Sequence, residues 1–110
     1  MSLSRPRVFV VNQRRLADGT FWPDLRPAEE HGDLFFLLPT GNVSLNHAGV
    51  ILDLEEKMET FAREDFLLPV GDMTACILAA SIAAINTHGE FRVLRWNGDT
   101  RRYAVVEVRL

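Results

Sequence analysis

Three short polar clusters in this chain carry residue types suited to holding a ligand: Asn12-Gln13, Thr40-Gly41-Asn42, and Gly71-Asp72 with Thr74 close behind. Each follows an apolar run of strand length, so parallel strands would bring the three clusters to one rim, where open α/β sheets bind ligands. Thr74 lies in the first turn of a predicted helix, whose free amides and positive dipole end suit a phosphate or carboxylate. Arg14 or Arg15 would supply a countercharge. Asp72 opposes that reading, because an aspartate at the N-cap takes those amides for itself and repels an anion. The candidate ligand set is therefore Asn12, Gln13, Asn42, Asp72 and Thr74, without either of the usual nucleotide signatures, GxGxxG or GxxxxGK[ST].

Charge placement suggests a second kind of site. From Asp18 to Asp72 there are twelve acids and three bases, whereas the two flanks hold three acids and nine bases, every one an arginine. Arginine suits planar, bidentate contact with phosphate or carboxylate. Arg14, Arg15, Arg92, Arg95, Arg101 and Arg102, with Trp96 and Tyr103 near them in sequence, suggest a surface for a nucleic acid or an acidic protein. The bland alternative is that these arginines pair with the chain's own acids or with those of a second copy.

Nothing in the chain specifies catalysis. His31, His47 and His88 are far apart and none has a ligand partner at metal spacing. Ser44, Thr74 and Ser81 lack a nucleophile-elbow context or an evident base. Cys76 sits in an apolar stretch as a small hydrophobe and cannot form an intrachain disulfide, being the single cysteine. The acids Asp53, Glu55, Glu56 and Glu59 read as the solvated face of a helix. The expectation is a binding protein with no catalytic residues, no metal and no cofactor.

The elements that would position these residues follow from the apolar pattern. Residues 7–12 (RVFVVN) and 33–38 (DLFFLL) are continuous apolar runs suited to strands covered on both faces. Between them, residues 14–32 form a long, ordered loop in which Pro27 to Glu30 resembles one helical turn; Phe21, Trp22 and Leu25 are expected to bind it down over the core, with a lid over a pocket as the functional alternative. Ile51, Leu54, Met58 and Phe61 share one helical face, with Ser44 or Asn46 as the cap. Phe66–Val70 predicts a third strand, with Pro69 marking an edge or irregularity.

Asp72 and Gly89 then bracket a second helix, so rich in alanine, isoleucine and leucine that burial nearly all round is expected. Phe91–Trp96 and Arg101–Leu110, joined by Asn97-Gly98-Asp99-Thr100, predict a hairpin. On its last strand, Ala104, Val106 and Val108 are the expected core face.

One hundred and ten residues make a single domain, 1–110, with residues 1–4 a leader or frayed terminus. No signal peptide or membrane span is evident, which predicts a cytoplasmic protein away from the membrane. The apolar second helix and the divided charge predict a homodimer.

The segments GDLFFLLPTG, DFLLPVGD and LRWNGDTRRYAVVEV, in this order, resemble small uncharacterised proteins of tailed-phage and prophage genomes, over most of residues 7–109. That group has a proline where this chain has Met73. The resemblance implies a shared fold and a phage setting, with no activity and no functional residues to carry over. The expected fold is α/β: one small domain with a mixed, mostly parallel sheet, two crossover helices and a C-terminal β-hairpin.

Overall fold

A computed structural model describes residues 5–39 and 48–110. Its main sheet has β1 (Arg7–Val10), β4 (Asp33–Phe36), β5 (Phe66–Leu68), β6 (Glu90–Asn97) and β7 (Arg102–Arg109), in the order β4-β1-β5-β6-β7. The first four run parallel, and β7 turns back antiparallel on β6. Helices α1 (Ala48–Met58) and α2 (Met73–Asn86) make the crossovers into β5 and β6. The α/β architecture expected from the sequence is thus present.

Val8, Phe9, Val10 and Val11 are fully buried because β1 is sandwiched. Phe9 and Val11 face α1 and α2 together with Leu67, while Val8 and Val10 face Leu25 and Ala28 on the other side. The connection from β1 to β4 moves one way across the sheet over one face. The two helical connections move the other way over the opposite face, as a uniform crossover hand requires. Phe9 is the hub of the helical side, its ring 4.9 Å from Phe35 and 5.0 Å from Phe61.

The segment between β1 and β4 is more ordered than its polar sequence suggests. Arg14–Arg15 (β2) pairs with Phe21–Trp22 (β3), and Arg26–Glu30 forms a 3-10 helix beginning near Pro27. Leu25 and Ala28 bury against the sheet. Trp22, expected to pin this segment down, is instead 60% exposed, since Leu25 and Ala28 already cover the sheet there.

Of the two readings of Pro69, edge or irregularity, the second fits: β5 lies between β1 and β6 but ends at Leu68 and not at Val70, so the proline falls just past the ladder. Two further expectations are corrected. The second helix is not buried nearly all round. It packs through Ala75, Ala79 and Ala83, leaving Met73, Ile77 and Ile85 largely exposed. On β7 the buried residue is Tyr103, on the face opposite to the one expected; Val108 is half-buried at the margin of the helix-side core, and Val106 lies beyond that margin and is exposed.

Asp72 caps α2 by accepting from the amide of Ala75 at 2.9 Å. At the other end His88 takes the first left-handed position (φ 55), and Gly89 (φ 83) donates to Ala84 O at 2.8 Å, one residue later than the sequence placed it. The proposed caps of α1, Ser44 and Asn46, lie outside the described residues, as does Asn42. Among the described residues no helix is long and apolar enough to cross a membrane.

Candidate binding cleft

β6 is eight residues long and β5 only three, so their pairing stops at Leu67 and Val93. Pro69 lacks an amide to continue the ladder, and the chain leaves the sheet at Gly71, whose φ of +91° favours glycine. Beyond that point no strand pairs with the β5 side of β6, and the β6–β7 hairpin overhangs, tied through Tyr103 and Arg102 to the segment before β4. The space between it and the departing chain is a cleft of about 750 Å³, lined on one side by Pro69, Val70 and Gly71 and on the other by Leu94, Arg95 and Trp96. Val93, Val106 and Val108 make it largely apolar, and the Trp22-Pro23-Asp24 segment borders it with Arg14.

Two hydrogen bonds hold that border. The Gln13 side-chain amide donates to Pro23 O at 3.1 Å, and the Tyr103 hydroxyl donates to Asp24 O at 3.2 Å. Tyr103 also packs edge-on against Trp96, with ring centroids 5.0 Å apart. Burial, with a smaller contribution from Asp24, raises the Tyr103 hydroxyl's pKa, so the phenol stays protonated and able to donate. Asp24 adds little open negative charge, because Arg26 grips its carboxylate at 2.8 Å and holds its pKa below the usual range.

The arginines divide sharply. Arg102 pairs with Glu30 at 2.7 Å, and its hydrogen bond lowers the Glu30 pKa. Arg92 donates to Glu64 O while lying 3.9 Å from the centroid of Phe66. Arg5, Arg7 and Arg109 are likewise engaged, with Asp33, Asp65 and Glu107. By contrast Arg14, Arg95 and Arg101 are exposed and make neither hydrogen bond nor ion pair within the described residues. Arg14 and Arg95 line the same cleft, and Trp22 (60% exposed) and Trp96 (45% exposed) line it with them. Arg15 is exposed on β2.

The proposed rim residues take other positions. Asn12 is 1% exposed; its amide donates to Pro39 O at 2.9 Å and its Oδ1 accepts from Asp72 N at 3.2 Å. It clasps the ends of β1 and β5 to the chain after β4. Asp72 is occupied as the cap of α2, Thr74 is exposed, and Gln13 braces the cleft border without lining the cleft. Cys76 lies half-buried nearby, its thiol donating to Val70 O at 3.5 Å. Burial, reinforced by Asp72 and opposed by Arg14, pushes its pKa up to about 11, which keeps it a poor nucleophile. Among the described residues no group of His, Cys, Asp and Glu is placed to hold a metal.

Sequence reasoning found Arg14, Arg95, Trp96 and Tyr103 and offered the loop that carries Trp22 as a lid over a pocket, but missed the apolar walls and the place of the cleft. The available signal was a mismatch of run lengths, with FLLP cut off by its proline while EFRVLRWN continues.

These features define a small doubly wound α/β domain with a cleft of ligand size where its sheet frays into a hairpin. The chain belongs to the Phage Pam3 gp32-like protein family, whose model matches residues 6–110. The resemblance to phage proteins read from the sequence is borne out at that level. No curated protein and no solved structure matches the chain.

Proposed function

We propose that this phage protein is a non-enzymatic binding module that holds a short stretch of single-stranded nucleic acid in the β6–β7 cleft. The observation that carries the reading is that one cleft, reaching both faces of the overhanging hairpin, is lined by two exposed arginine side chains without an ion-pair partner among the described residues, Arg14 and Arg95, and by two exposed tryptophans, Trp22 and Trp96, with Arg95 and Trp96 on opposite faces of β6. Bases stack on aromatic faces and phosphates pair with guanidinium groups, a combination that tolerates many sequences. Arg101, at the hairpin tip, extends the cationic set beyond the cleft. With the other flanking arginines engaged by the chain's own groups, the contact is local rather than a long basic track.

That locality has a measurable signature. Neutralising about three phosphates gives a log K against log salt slope of about −2 for a single strand. Quenching of tryptophan fluorescence by oligothymidylate at several salt concentrations reads both affinity and slope. Arg95→Ala and Arg14→Ala should each weaken binding and flatten the slope, and Trp96→Ala should weaken binding while leaving the slope unchanged. No quenching at low salt, or a slope unmoved by both arginine variants, overturns the reading.

The largely apolar walls, Leu68, Val70, Val93 and Val106 among them, favour a second reading, a small aromatic anion bound in the same cleft. In that case a mononucleotide would quench as well as the oligomer does.

A further inference from the structure

β7 is the outermost strand of the sheet, and past Tyr103 its outer edge is unpaired among the described residues. Leu110 N donates to Gly89 O at 2.9 Å, which sets the phase of the antiparallel ladder. The even-numbered residues of β7 direct their amides and carbonyls at β6, and Tyr103, Val105, Glu107 and Arg109 direct theirs outward. His31 Nε2 lies 3.0 Å from Tyr103 O, as that phase requires. Among the described residues the outward groups of Val105, Glu107 and Arg109 have no hydrogen-bond partner. Edge strands are ordinarily blunted by charged side chains, proline, a bulge or a covering element. Here there is no proline or bulge, the charges are already paired, Arg102 with Glu30 and Arg109 with Glu107, and Val105 (44% exposed) and Val106 (41% exposed) leave both faces of the middle of the strand apolar.

We infer that a second copy of this chain pairs with that edge, β7 against β7 about a two-fold axis, joining two five-stranded sheets into one. A row of outward amides and carbonyls calls for a strand, and the register available to this chain is self-complementary. A two-fold centred on Glu107 sets like carboxylates against each other. One centred on Val105 pairs Tyr103 with Glu107 on both sides of the axis, and because His31 already holds the Tyr103 carbonyl it leaves only the Val105 groups to bond.

Centred on Val106, each Val105 exchanges its amide and carbonyl with the partner's Glu107, Val106 meets the partner's Val106, and Ala104 meets the partner's Val108; the ladder stops short of Tyr103, whose carbonyl His31 holds, and still keeps both Val105–Glu107 pairs. No like charges are opposed in these pairs. Each Glu107 keeps its own Arg109 at 3.1 Å. Val106 also lines the cleft, so this pairing closes the cleft's outer side with the partner's valine.

Sedimentation at tens of micromolar should give twice the 12.5 kDa of one chain. Val105→Pro removes an outward amide without touching the β6 ladder, and Val106→Lys places charges together at the axis; each should give the single-chain mass with cooperative unfolding retained. The register is read separately by oxidation in a Cys76→Ser background. Val106→Cys should form an intermolecular disulfide, because directly opposed non-hydrogen-bonded pairs bring Cα atoms to about 4.5 Å. Val108→Cys should not. A wild-type chain that sediments at the single-chain mass overturns the inference, as does a dimer that survives Val106→Lys or one that Val106→Cys fails to cross-link. Should Val105→Pro not fold, the lysine and cysteine variants decide.

Discussion

The side-chain oxygen of Asn12 accepts a hydrogen bond from the backbone amide of Asp72 at 3.2 Å, so a residue at the end of β1 fixes the point where the chain turns into α2. The same side chain donates to Pro39 O, so one buried amide joins three segments that are remote in sequence. A Cβ at Gly71 would come within 2.1 Å of the Asn12 carbonyl oxygen, and the turn is packed so closely that only glycine fits.

Asn12→Ala leaves the Asp72 amide and the Pro39 carbonyl without their partner in a part-buried place, and should cost about 2–3 kcal/mol, with each of the two groups near the low end of roughly 1–3 kcal/mol because Pro39 is exposed. Gly71→Ala should be at least as damaging, because a left-handed φ and a backbone clash combine. Urea denaturation of both variants measures this. An Asn12→Ala chain as stable as the wild type would mean that the clasp contributes nothing.

Asp65 presents a parallel case. It is 5% exposed and accepts from Arg7 N at 3.0 Å and Ala62 N at 2.9 Å, with the Arg7 guanidinium 3.6 Å away. Asp65→Ala should cost about 3 kcal/mol by stranding two amides and a cation. Asp65→Asn keeps one acceptor oxygen and should cost clearly less. Equal midpoints for the two variants in thermal melts would rule out this account.

For α2, the exposed and buried faces make opposite predictions. Ile85→Lys lies on the open side and should change stability by no more than about 0.5 kcal/mol. Ala79→Leu forces new bulk between helix and sheet and should cost about 1–3 kcal/mol or more. A helix buried all round would reverse the first result, with a large loss at Ile85.

Alkaline pH should weaken the fold through Cys76 and Tyr103, both of whose pKa values are raised in the folded chain. Folding then retains protons that the unfolded chain gives up, so this stabilisation is full below the unfolded pKa values and declines as pH rises through the folded ones. For Cys76 the window runs from its ordinary 9.0 to about 11. Alkylation by iodoacetamide, followed by mass, should remain slow at pH 9 in the folded chain and become fast in urea. Rapid alkylation of folded chain at pH 8 would contradict the raised pKa.

Much of this architecture is legible from local pattern. The runs at β1 and β4, the apolar face of α1, the Asp72 cap and the hairpin all follow from hydrophobic period and capping chemistry. The burial of α2 was misread because composition gives a helix's apolar content but not which side approaches the sheet. Alanines at 75, 79 and 83 let the backbone come close, and the larger side chains then point away. The cleft was missed for a similar reason: it arises from a difference in strand length, which becomes a cavity only once register is known. Likewise no sequence pattern tells Arg95 from Arg102, since Glu30 reaches Arg102 across 72 residues of chain.

The overhang of the hairpin past β5 gives the cleft two jaws of unequal stiffness. The Val70-Gly71 jaw is anchored through the Asn12 N to Val70 O bond at 3.0 Å to the centre of the sheet, whereas the Arg95-Trp96 jaw is held by its pairing with β7, which Tyr103 and Arg102 tie only to the peripheral segment from Asp24 to Glu30. Amides at the hairpin tip should exchange with deuterium well before those of β1, and occupancy of the cleft should slow the tip selectively. Such a cleft would grip by flexing one side against a fixed side, admitting occupants of different thickness without disturbing the core beneath.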